Sequence, residues 1–197
     1  MKIQAYSKSL TFEKITYDTI NKGNHQSKIS NNLKCSILIL EESKSITHIL
    51  YSADLIWFPE SIVNSIRKKI IEKYKIKKSN IVFCASHTHG SPNPHKEVNY
   101  GSNQDIIAIK LEEHLYNIFL KETALKKISV TANYISTECF NLTINRRRKA
   151  IQFNKFPFYS MQSLPNINNS NDQEINIINL INTKNYKSEC IILKHTC

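Results

Sequence analysis

The sequence predicts an α/β fold, a mixed and partly parallel sheet with flanking helices. Short apolar runs at 35–40, 46–53 and 81–86 lie between polar turn signals, the pattern of buried strands. Between the second and third runs, apolar residues recur at helical spacing. Strand, helix, strand is a crossover unit, which implies a parallel pairing. A second helical stripe and further strand-like runs follow to the C-terminus.

Residues 1–32 are polar and give little pattern, although 11–17 has an imperfect strand-like alternation and Asn21-Lys22-Gly23-Asn24 reads as a turn. The runs 35–40 and 46–53, joined by Glu41-Glu42-Ser43-Lys44-Ser45, predict a β-hairpin within a buried sheet. Pro59 opens a helix, because its missing N–H would have no partner in a first turn. Ile62, Val63, Ile66, Ile70 and Tyr74 form the apolar face of that helix, and Arg67, Lys68, Lys69, Lys73, Lys75, Lys77 and Lys78 take the other face or the end. Ser79-Asn80 then turns the chain into 81–86, which reads as a central strand.

Residues 87–104 form a long polar loop, a length that is usually functional or mobile in a compact domain. Asp105 begins a second helix, with Ile107, Leu111, Leu115 and Ile118 as its buried stripe. Strands are expected at 128–135 and 140–144, a loop at 151–173, and a final pair at 175–181 and 190–194 around the turn Asn185-Tyr186-Lys187-Ser188.

The chain of 197 residues suits one domain, 1–197, with no internal repeat and no dividing linker. It is long enough to bury a core without disulfides. Five cysteines show no C-x-x-C spacing, and Cys35, Cys84 and Cys190 sit in or beside apolar runs as small core side chains. That usage fits a reducing compartment. The first residues have no apolar signal region, and no apolar run reaches the roughly 18 residues of a membrane helix. The chain is therefore expected to be cytoplasmic or otherwise soluble. The net charge of +11 attracts anionic partners at long range, although most of the excess is lysine on solvated faces.

Ser86-His87-Thr88-His89 is the feature that carries chemistry. Residues two apart in extended chain point to one side, so His87 and His89 can converge on one ion at the end of a rigid strand. Neutral imidazole suits zinc, although a bare H-x-H also arises by chance and two loop histidines can simply be solvated. The carboxyl ends of such strands are where open α/β sheets place their sites, and Gly90-Ser91-Pro92 can bend the chain away and leave the site open. Asp54 ends the preceding run, where a carboxylate can orient a metal-bound histidine through its far nitrogen, or simply form a turn. One arginine of Asn145-Arg146-Arg147-Arg148-Lys149 can bind a carboxylate, a phosphate or a developing oxyanion, although the cluster as a whole reads as a charged surface turn.

The ordered landmarks Ser52-Ala53-Asp54-Leu55, Phe58-Pro59, the amphipathic helix, Asn80-Ile81-Val82-Phe83 and Ser86-His87-Thr88-His89 resemble the neutral/alkaline, non-lysosomal ceramidase family. The family has T-H-T-H-S-G-P where this chain has Ser86-His87-Thr88-His89-Gly90-Ser91-Pro92, with Gly and Ser exchanged. Ile144-Asn145-Arg146 matches the family's I-N-R segment, and 191–197 is similar to its strand ending near A-C-H-P. The resemblance implies a zinc amidohydrolase that cleaves the N-acyl amide bond of ceramide or a related compound. His87 would be a zinc ligand, and His89 and Arg146 would be catalytic residues beside it.

The family's second zinc-binding histidine follows the cysteine that aligns with Cys197, and its Glu and Tyr ligands come later still. His195 precedes that cysteine, so the role does not pass to it. The resemblance therefore covers the N-terminal portion of a ceramidase-like catalytic domain, incomplete without a C-terminal half or a partner chain. The competing expectation is a non-catalytic binding protein with a basic surface for an anionic partner, nucleic acid or phospholipid. Nucleic acid is the less expected, because no recognised binding motif is present and the arginine cluster is not interleaved with aromatics.

Overall fold

A computed structural model of the chain describes residues 1–9, 17–18, 26–27, 33–42, 44–88, 91, 104–140, 142–151, 159–167 and 171–195. The fold is mixed α/β, with a mostly sheet core and two helices. The chain forms two compact units, Met1–Val130 and Thr131–Cys197. No helix among the described residues is long and apolar enough to cross a membrane.

The first unit contains β1 (Lys2–Ser9), two-residue strands β2 (Tyr17–Asp18) and β3 (Gln26–Ser27), β4 (Lys34–Glu42), β5 (Ser45–Ala53), α1 (Glu60–Tyr74), β6 (Ile81–Ala85) and α2 (Gln104–Thr123). The predicted hairpin is β4–β5, antiparallel from Cys35↔Ala53 to Glu42↔Ser45. Lys44 takes the left-handed conformation at its turn. The predicted parallel pair is β5–β6, in register from Ile49↔Ile81 to Ala53↔Ala85. β1 lies antiparallel on the other side of β4. The imperfect strand at 11–17 and the turn at 21–24 fall mostly outside the described residues, as does most of the loop 87–104.

Alternation on β4 and β5 sends Cys35, Ile37, Ile39, Ile49, Tyr51 and Ala53 to the face that the helices cover. The helices answer with Ile62, Ile66 and Ile70 from α1 and Ala108, Leu111, Leu115, Ile118 and Phe119 from α2. Each large aliphatic buried there contributes about 1.5–3 kcal/mol relative to exposure. Pro59 is the residue just before α1, and Glu60 in the first turn complements the positive helix end. The helix ends where Lys75 turns left-handed and donates its N–H to Ile71 O at 2.9 Å.

β6 differs from expectation. Among the described residues it is the edge of its sheet, not a central strand. Val82 and Cys84 point away from the helices and are exposed. Its run is short and apolar because Ile81, Phe83 and Ala85 pack on the helix side, which composition alone could not separate from two-sided burial. Arg67 reaches from α1 to the edge, with Nε and Nη2 donating to Ile81 O at 3.2 and 2.8 Å. Of the three cysteines expected in the core, Cys35 is buried, Cys190 is half-buried and Cys84 is exposed. Burial, with the Asp54 charge nearby, pushes the Cys35 thiol up to about 12.

β7 (Ile128–Glu138) opens beside β1, with Lys2↔Ser129 and Ile3↔Ile128, and its remainder belongs to the second unit. There it lies next to β10 (Glu174–Asn182), which pairs antiparallel with β11 (Ser188–His195). Tyr186 is left-handed at the β10–β11 turn. The expected strand at 140–144 is absent, because the described residues there form turn and bend. The basic cluster is instead a strand, β8 (Asn145–Ile151). The expected loop at 151–173 contains β9 (Tyr159–Asn166), which pairs antiparallel with β8 from Ile151↔Tyr159 to Asn145↔Asn166. Pro165 is tolerated because a two-stranded ribbon leaves one edge of each strand unpaired.

Candidate functional site

The chain end of the parallel pair β5–β6 is built from two loops that hold each other. Ser86 N–H donates to Ala53 O at 3.0 Å, and Leu55 N–H reaches the same oxygen at 2.9 Å. Beneath them, Phe83 stacks on Tyr51 at 4.6 Å, and Phe58 meets Phe83 edge-on at 5.2 Å. This aromatic stack pins the 54–59 turn to the sheet. The Tyr51 hydroxyl is buried with no hydrogen-bond partner among the described residues, and burial drives its pKa well above the ordinary tyrosine value.

His87 lies just past β6, exposed, with φ 59. The strand ends at Ala85, so the expectation that extended chain aligns His87 with His89 does not hold at His87. A left-handed histidine costs roughly 1–2 kcal/mol of backbone strain, of the kind that collects at functional sites. His89 lies outside the described residues. The His87 Nδ1 is 2.8 Å from Ile56 O. Because that carbonyl only accepts, Nδ1 carries the proton and the lone pair resides on Nε2. This is the tautomer, held by an oxygen at the far nitrogen, that suits a metal ligand. Of the sequence-predicted metal site the described residues thus place one imidazole, and among them no group of three or more His, Cys, Asp or Glu could hold a metal.

At Nδ1 the orienting group is a backbone carbonyl. The Asp54 carboxylate, to which the sequence pointed, closes the β4–β5 end instead: its Oδ2 accepts from Lys34 N–H at 2.9 Å, and its own N–H donates to Lys34 O at 2.9 Å.

Ser91 was missed by sequence reasoning. It is fully buried, and its hydroxyl accepts from Ile56 N–H at 3.1 Å and donates to Thr88 O at 3.4 Å. Ile56 is thereby held at both ends, its N–H by Ser91 and its C=O by His87. A small hydroxyl after a glycine in a strand-end loop was the only available signal. Ser91→Ala leaves the Ile56 N–H buried and unpaired, and is expected to cost about 1–3 kcal/mol of stability. Urea melts of the variant against wild type check this, and a change below about 0.5 kcal/mol would show that water replaces the hydroxyl.

Arg146 belongs to the second unit, exposed near the start of β8. It lines a cavity of about 270 Å³ with Thr143, Ile144, Asn145, Arg147, Asn171 and Asp172. The wall is set by amide bonds: Asn171 Nδ2 donates to Thr143 O and Oγ1, both at 2.7 Å, and Asn145 Oδ1 accepts from Arg147 N–H at 2.9 Å. Two arginines and one aspartate line the cavity in a polar setting, and the arginines offer donors suited to an oxyanion or a carboxylate.

No protein-family model and no curated protein matches the sequence. Among solved structures, the chain is similar to a ceramidase complexed with C2, with a TM-score of 0.66 and 14% identity. The likeness covers 98% of this chain and 30% of that one, so the chain spans less than a third of the length of the ceramidase it matches. At that identity the likeness establishes a ceramidase-like fold.

Proposed function

We propose that the chain is the N-terminal portion of a zinc-dependent amidohydrolase that cleaves the N-acyl amide bond of ceramide or a related lipid amide. The carrying observation is His87, strained and tautomerically fixed at the strand end of a ceramidase-like fold. The order of landmarks in the sequence supports the same reading.

His87 would hold zinc through Nε2, with Ile56 O keeping the ring in place. When bound, zinc lowers the pKa of a water and polarises the amide carbonyl. Arg146 is assigned to donating hydrogen bonds to the charge that develops on the carbonyl oxygen. His89 is assigned to the same charge, or to orienting the reacting groups. Water enters, the C–N bond breaks, and a fatty acid and an amine leave.

The test is hydrolysis of a short-acyl ceramide by the zinc-supplemented protein, read as fatty acid released. Arg146→Gln is expected to lower kcat on the order of 100- to 1,000-fold, as when one oxyanion donor is lost. Equal rates in variant and wild type would remove Arg146 from the mechanism. An inert wild type that binds zinc would mean that this portion is truncated and inactive as given, needing ligands from a C-terminal half or a partner chain.

A further inference from the structure

From charge and exposure we infer that the β8–β9 hairpin is a docking surface for an anionic lipid bilayer. The inference stands on observations separate from the zinc reading. Between 139 and 171 the sequence has Arg146, Arg147, Arg148, Lys149 and Lys155 and no Asp or Glu. The basic cluster is an extended strand, so its side chains alternate between two faces.

Directly paired residues share a face, and the register pairs Arg147 with Ser163, Lys149 with Met161 and Ile151 with Tyr159. One face therefore carries Arg147, Lys149, Ile151, Met161 and Ser163. All five are exposed, Ile151 by 52% and Met161 by 56%. No carboxylate forms an ion pair with Arg147 or Lys149 among the described residues. The face grades from cations near the start of β8 to apolar side chains at its end.

That gradient matches a membrane interface, where phosphate groups lie outside acyl chains. Cations near an anionic leaflet gain from its surface potential, while Ile151 and Met161 gain by leaving water. A purely electrostatic partner such as nucleic acid would use the cations and leave the apolar end without a role. A lipid amide is also a molecule that resides in bilayers, so a lipid-docking hairpin would bring the protein to the substrate proposed above.

The test is sedimentation of the full chain with vesicles of phosphatidylcholine alone or mixed with phosphatidylglycerol. Wild type is expected to bind the mixed vesicles and not the neutral ones. Arg147→Gln with Lys149→Gln is expected to weaken binding by about 25-fold, from about fivefold per cation, and Arg147→Lys is expected to keep it. Ile151→Ser with Met161→Ser is expected to leave weak binding that salt reverses completely. Circular dichroism confirms that each variant is folded. Equal binding to both vesicle types, or binding indifferent to the paired Gln substitutions, would overturn the inference. So would binding of a single-stranded oligonucleotide through Arg147 and Lys149 with none to either vesicle.

Discussion

Replacing His87 by alanine is expected to abolish zinc binding, measured by competition with a chromophoric chelator. Loss of an orienting partner alone typically lowers metal affinity 10- to 100-fold, so loss of the ligand itself should exceed about 100-fold. The Ile56 carbonyl holds His87 through Nδ1 and alanine offers nothing to hold. Glycine separates chemistry from strain. At φ 59 it lacks the Cβ that makes this conformation costly, so His87→Gly should lose zinc as His87→Ala does while being about 0.5–1 kcal/mol more stable than His87→Ala, both variants lacking the bond to Ile56 O. That combination is what a residue kept for function at some cost to the fold would show. Zinc retained by both variants would remove His87 from the ligand set. A wild type that takes up no zinc would sink the metal reading of this portion, while leaving the ceramidase-like fold in place.

What the sequence made legible follows the core. Ile62, Ile66 and Ile70 wrote the period of α1 because one face of that helix meets the sheet, and the runs in β4 and β5 were plain because their alternate residues enter the same core. β9 reads as loop in the sequence because Ser160, Gln162, Ser163 and Pro165 lie in a two-stranded ribbon, where no buried face imposes alternation. β1 was missed for a related reason: Ile3 is the only large aliphatic residue in its sequence, and the strand is specified by pairing with β4. At the site, His87 was visible by residue type. Its left-handed backbone and its bond to Ile56 O were not, because both depend on how two loops meet at the chain end of β5 and β6. Ser91 belongs with them, since its work is done through backbone groups that leave no mark on composition.

Phe119 shows the same limit in the core, and its replacement has the largest expected effect on stability. The helical stripe identified Leu111, Leu115 and Ile118 and passed over Phe119, which is fully buried. Phe119 lies where α2 meets α1. Its ring stands edge-on to Tyr74 at 5.2 Å and lies 6.3 Å from Tyr116. Phe119→Ala removes the ring, the edge-on contact, worth about 0.5–1.5 kcal/mol, and the volume that keeps the helices apart. The total cost is expected at about 3–5 kcal/mol. A folded protein typically holds only about 5–15 kcal/mol, so about a fifth of the margin or more would go. Phe119→Leu keeps most of the volume and should cost roughly 1–2 kcal/mol. Leu125→Ala, at a residue 48% exposed, should stay within about 0.5 kcal/mol. Urea midpoints for the three variants decide it, provided the slope with denaturant is unchanged. A Phe119→Ala shift no larger than that of Leu125→Ala would mean that the ring does not hold the helices together, and that the covered sheet face depends on Ile66, Ile70 and Leu115 instead.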